Sequence, residues 1–168
     1  MKKKLKWIFG AAIVIFLLLQ LANPARTNPP VVADMMATNA PPPQVADLFH
    51  AACYDCHSHE TKWPWYSHVA PVSWLVGSDV KDGRHHLDLS NWPFAHPDWQ
   101  VRRLENMSDE IHSGDMPPWQ YTLIHTDARL TDSQRKEMTD WLNARVTELK
   151  AAELKTEVKA AEQQAAGK

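Results

Sequence analysis

The five residues CYDCH, 53 to 57, hold the only two cysteines of the 168-residue chain, and a histidine follows the second directly. Two cysteines three residues apart lie on one side of a helical turn or in one knuckle. The segment must therefore fold so that both thiols serve a single group or each other. Three chemistries use such a pair: a thiol redox centre, a structural zinc site, and covalent attachment of a haem.

The N-terminus bears on that choice. MKKKLKWIFGAAIVIFLLLQLA opens with Lys2, Lys3, Lys4 and Lys6 and no acid, then runs apolar from Trp7 to Ala22. Every face of that run is apolar, which counts against a buried soluble helix. It reads as a membrane anchor or a signal peptide. Sixteen residues span roughly 24 Å, a little short of a ~30 Å hydrocarbon core, and Lys6 and Trp7 extend the span by snorkelling. The small-residue cleavage patterns near Ala22 and Ala25 are poor, which favours an anchor over cleavage. The lysines stay in the cytoplasm, so everything after residue 22 is exported behind a single-pass anchor. Exported thiols do not stay reduced, so the pair is a disulfide, a metal site or a haem attachment.

Residues 23–43 contain six of the twelve prolines. They read as a linker of polyproline character, able to hold a domain up to roughly 60 Å from the membrane. Met35 and Met36 count there as linker residues. Residues 44–149 form the domain, with four helical segments. In 44–57, Val45, Leu48, Phe49 and Ala52 make one apolar stripe. A second helix starts at Pro71 and ends at Gly83. A third has Pro97 near its start, Val101, Leu104 and Ile111 inward, and Gly114 as its C-terminal cap. A fourth opens on a capping box, Thr131 with Gln134, and turns Met138, Trp141, Leu142 and Leu149 inward. An irregular aromatic segment lies between the second and third. Residues 150–168 read as an Ala/Glu/Lys-rich helical tail, partly disordered. No strand is expected, so the fold class is all-α.

Over 44–149 there are 9 Lys and Arg against 16 Asp and Glu, a balance of 9 − 16 = −7. That acidic body repels phosphate backbones and excludes nucleic acid as a partner. It is suited to steering toward a basic protein.

A thioredoxin-like centre needs a βαβ pattern and a motif that begins a helix. The chain has no such pattern, and here the motif ends a helix. Zinc needs four ligands, and only Cys53 and Cys56 supply sulfur. Histidines such as His57, His59 and His68 would have to complete the set, and His57, bonded next to Cys56, fits a tetrahedron poorly. Haem attachment needs C-x-x-C-H, with each thiol joined to one porphyrin vinyl and the histidine projecting under the iron. An electron-transfer haem then wants a sixth ligand. Met107 and Met138 sit on apolar helix faces and read as core. Met116, in SGDMPPW, sits on a loop fixed by two prolines and is the leading candidate, with His68 and His59 as rivals. The other histidines, 50, 85, 86, 96, 112 and 125, read as surface or hydrogen-bonded residues.

CYDCHSHETKWPWYSHVAPVSWLV and GDMPPWQYTLIHTDARLTDSQRKEMTDWL together resemble the bacterial haem-binding-domain family of monohaem c-type cytochromes. The likeness covers roughly residues 44–145 and rests on C-x-x-C-H, W-P-W-Y, P-V-S-W and G-x-M-P-P in combination. It implies a small cytochrome-c-like helical domain and one covalent haem c. Cys53 and Cys56 are then thioether attachment points, His57 the proximal ligand and Met116 the distal ligand. Trp63, Trp65, Tyr66 and Trp74 are expected to pack on the porphyrin or bond a propionate. Pro71 is expected to orient the proximal imidazole through its carbonyl.

The expected function is a membrane-anchored periplasmic electron carrier, not an enzyme, whose partners are redox proteins not named by the sequence. Alternatives are a haem enzyme of peroxidase type and a haem-based redox sensor with an open iron site. The tail is too short for an output domain, which counts against the sensor.

Overall fold

The computed structural model describes residues 2–93 and 96–166. Residues 94 and 95 of the irregular segment and 167 and 168 of the tail lie outside the described residues. The helices are α1 Lys2–Leu19, α2 Met35–Asn39, α3 Pro43–Ala52, α4 Tyr54–His57, α5 Val72–His86, α6 Pro97–Ser113, α7 Trp119–Ile124 and α8 Asp132–Ala166. Among the described residues there is no strand, only one isolated bridge between Ala33 and Asn91. The fold is all-α.

Helix ends form where the sequence signals them. Gly114 takes φ 86° after Ser113, a left-handed conformation open to glycine, and stops α6. At the start of α8, Gln134 N–H donates to Thr131 Oγ1 at 3.2 Å, and Thr131 N–H donates to Gln134 Oε1 at 2.8 Å. This is the expected reciprocal cap. Residues 150–166 continue α8 as an exposed helix, consistent with their strong helix formers.

The core is built by α6 against α8, with α3 closing one side. Leu104, Met107, Ile111, Met138, Leu142 and Val146 meet Val45 and Phe49. Phe49 packs edge-on to Trp141 at 5.7 Å.

The segment expected as a free linker is part of this body. Met35 and Met36 are buried in the core, and α2 is a formed helix capped by Asp34. Val32 and Ala33 N–H donate to Ser90 O, and Met35 N–H donates to Leu89 O. The prolines supply extended backbone, and its amides bond the domain instead of water. A 60 Å spacer is therefore not available.

α1, extended by a 3-10 turn over Gln20–Ala22, meets the domain only at its C-terminal end, has no fully buried residue and has a mean hydropathy of 2.2 over its most apolar window. It is long and apolar enough to cross a membrane.

Truncating Leu142 to Ala opens a cavity at a fully buried site, and a loss of about 2–5 kcal/mol is expected in chemical denaturation. Truncating exposed Leu154 should change stability by less than about 0.5 kcal/mol. Equal effects at the two sites would contradict this packing.

Candidate functional site

α3 stops at Ala52, and Cys53 leaves helical geometry at φ −124°. The chain then makes one further turn, in which Cys56 and His57 N–H both donate to Cys53 O, at 3.3 and 2.9 Å. That turn carries both cysteines, which are half-buried and unpaired. Burial pushes both thiols up to about 12, with the neighbouring charges of Asp79 and Asp55 adding to the effect on Cys56. Neutral thiols contradict the activated thiolate of a redox centre.

His57 is fixed from both ends. Its carbonyl accepts from Leu89 N–H at 2.7 Å. Its Nδ1 lies 2.9 Å from Gly83 O and 3.1 Å from Leu87 O. Two carbonyls can only accept, so Nδ1 carries the proton, and Nε2 keeps its lone pair. Burial further disfavours protonation of the ring, lowering its pKa despite the two carbonyls. No described residue partners Nε2. The imidazole is thus neutral, oriented and open at one nitrogen.

The carbonyls come from the C-terminal end of α5, not from Pro71. Pro71 stands at the other end of that helix, as its N-cap. Gly83, expected to terminate α5, instead lies inside it. A Cβ at Gly83 would sit 2.7 Å from Cys56 O, so this glycine is what lets α5 approach the turn. Arg84 locks the same junction: Nε donates to Ser58 O at 2.7 Å, and its terminal nitrogens reach Thr61, Asn28 and Thr27.

Gly83, Asp79, Val76 and Val72 recur at helical spacing on one face of α5. Gly83 fixes that face toward Cys56, and the exposed Val72 and half-buried Val76 continue it beyond Asp79. On the other side, Tyr121 Oη donates to Asp55 Oδ2 at 2.7 Å. The Tyr121 ring stacks on His125 at 3.9 Å. His125 Nδ1 donates to Tyr121 O, so its Nε2 accepts from Tyr66 Oη at 2.8 Å. A cleft of about 200 Å³ opens beside Asp55, Tyr121 and His125. It is smaller than the ~300–1,000 Å³ of ordinary ligand pockets.

Residues 14–144 match the family model described as a haem-binding domain. The chain belongs to the haem-binding domain family. No curated protein and no solved structure matches it. The family match begins inside α1, not at residue 44, in keeping with the docking of residues 20–43 on this haem-binding domain.

The site residues fit a haem. The turn offers two unpaired thiols and a neutral imidazole with a free nitrogen. Among the described residues no three of His, Cys, Asp or Glu gather as a metal set, so the zinc alternative has no ligand shell here.

Of the methionines considered as distal ligand, Met107 and Met138 are in the core. Met116 is 36% exposed, its N–H donating to Glu110 O and its carbonyl accepting from Arg135. Both ring nitrogens of His59 are engaged, by Pro30 O and Asp88 Oδ2. His68 is exposed. Trp63 donates to Asn28 Oδ1 and Trp74 to Ala22 O, so neither indole N–H is free for a propionate. Trp65 is 77% exposed. Gly83, Leu87, Arg84 and Tyr121 escaped sequence reasoning; no local pattern marks a carbonyl that accepts across 26 residues.

Two outcomes follow from this geometry. Gly83→Ala should retain helical circular dichroism and lose much of the bound haem in absorption spectra, because the methyl group meets backbone. In the haem-free protein, thiol alkylation should be slow near neutral pH and accelerate toward about 12; rapid neutral reaction would contradict the buried, protonated state.

Proposed function

We propose that this haem-binding domain protein is a membrane-anchored c-type cytochrome that carries single electrons on the periplasmic side of a bacterial inner membrane. The observation that carries the reading is the bifurcated hydrogen bond of His57 Nδ1–H to the Gly83 and Leu87 carbonyls, which leaves Nε2 as a directed lone-pair donor on the same turn as two unpaired thiols. Cys53 and Cys56 are the thioether attachment points and His57 the proximal ligand. When bound, the haem supplies an iron centre that takes up and gives back one electron.

The residues of the chain set the properties of that centre. Hydrogen bonding at Nδ1 makes the imidazole a stronger donor and fixes its plane. Met116 is the distal ligand: it alone of the three candidate methionines lies outside the core, on a loop held at its own backbone N–H and carbonyl. A thioether opposite histidine favours the reduced metal and raises the potential. With His57 and Met116 both holding it, a bound haem would offer no open site to a substrate, which separates a carrier from a peroxidase.

Retention of α1 is supported by the contacts beyond it. Gln20, Ala22 and Asn23 all bond the domain, and cleavage near Ala22 or Ala25 would remove such contacts. The lysines in the first turns of α1 favour the cytoplasm, leaving the domain outside. Its acidic surface suits a basic redox partner.

The test is the absorption spectrum of Met116→Ala beside the wild type. Wild type should be low-spin with a weak far-red sulfur-to-iron band. The variant should turn high-spin, lose that band and bind external ligands. An unchanged spectrum would rule out Met116, and a high-spin wild type with peroxide turnover would overturn the carrier reading.

A further inference from the structure

The end of α1 is joined to the haem-binding domain by a dense set of contacts, all on residues 67–77. Gln20 bonds both polar groups of Ala70, accepting from its N–H at 2.9 Å and donating to its carbonyl at 3.3 Å. Ser73 donates to Asn23 Oδ1. Arg26 donates to Ser67 O at 3.3 Å. A Cβ at Gly77 would stand 2.6 Å from Pro24 Cγ, so the chain leaving α1 lies directly against α5. Trp74 Nε1 donates to the carbonyl of Ala22, the last residue of the apolar span, at 2.8 Å.

That last bond fixes a depth. If α1 crosses the bilayer, Ala22 lies where the chain leaves the hydrocarbon, and the Trp74 indole lies within a hydrogen bond of it. Tryptophan is enriched at this level, with its ring in the apolar layer and its N–H on a polar partner. Its neighbour Leu75 is 58% exposed. After Gly77 the helix becomes polar, with Ser78, Asp79, Lys81 and Asp82. The apolar end of α5 is thus the end beside the membrane helix.

We infer that Trp74 and Leu75 are lipid contacts: the domain is seated on the headgroup layer of its own membrane by a rigid junction, and is not held at the end of a tether. The inference rests on α1 being a retained transmembrane helix. Its consequence is positional. Gly83, which abuts Cys56, is nine residues beyond Trp74, about 14 Å along the helix axis. The redox centre is held close to the bilayer surface, within reach of a partner in the same membrane.

The test uses the full-length, haem-loaded chain in phosphatidylethanolamine–phosphatidylglycerol vesicles, with a nitroxide on one introduced cysteine at a time: Leu75→Cys, Ile13→Cys in α1, and Lys136→Cys on the exposed start of α8. The wild-type chain carried through the same labelling gives the background from Cys53 and Cys56. Collision with dissolved oxygen, enriched in lipid, is compared with collision with a water-soluble nickel chelate. The label at 13 should favour oxygen and that at 136 the chelate. The label at 75 should favour oxygen several-fold more than that at 136. A label at 75 matching 136, with 13 in lipid, would overturn the seating and leave the anchor standing. A label at 13 in water would overturn both.

Discussion

A neutral imidazole offers a chosen nitrogen in a fixed direction only if the other is held, and in this chain the holding is done by the Gly83 and Leu87 carbonyls. Most of the site follows from that pair of bonds. They require the C-terminal end of α5 to lie against the CYDCH turn, where the Gly83 carbonyl accepts both from Leu87 N–H at 2.9 Å and from the His57 ring. They require a residue without Cβ at 83, because any side chain would strike Cys56 O. They require Leu89 to return to His57 O and Arg84 to clamp Ser58 O, so that turn and helix move as one unit. The ring is then oriented before any ligand arrives, which lowers the ordering cost of binding.

The same economy extends to the N-terminal third. A proline-rich segment has few amides to satisfy, and those of Val32, Ala33 and Met35 pair with the loop after α5. Arg84 ties that segment, through Thr27 and Asn28, to the turn that carries the thiols. Anchor, linker and site are therefore not successive modules. The family match, which starts within α1, covers the stretch that these bonds hold together.

What was legible in the sequence was local. Helical periodicity marked the stripes of α3, α6 and α8, and the Thr131 cap and Gly114 stop appeared where single residues dictate geometry. C-x-x-C-H pointed to the family because its spacing is itself chemistry. Three readings failed for one reason. Residues 23–43 looked extended, and much of the stretch outside α2 is, but extension says nothing about what the amides bond. Gly83 looked like a helix stop because glycine usually is one; its role is close approach across 27 residues. Pro71 was favoured to orient His57 by analogy, and the carbonyls that do so lie at the opposite end of the same helix. In each case the deciding contact was distant in sequence.

The central claim is that the CYDCH turn holds one haem by covalent bonds. Intact mass spectrometry of the denatured chain, purified from a bacterium competent in haem attachment, tests it most directly. The account requires the polypeptide plus one haem, with the added mass on the peptide containing residues 53–57, and its loss when Cys53 and Cys56 are both replaced by Ala. A bare polypeptide mass from protein whose native spectrum still shows haem would contradict it.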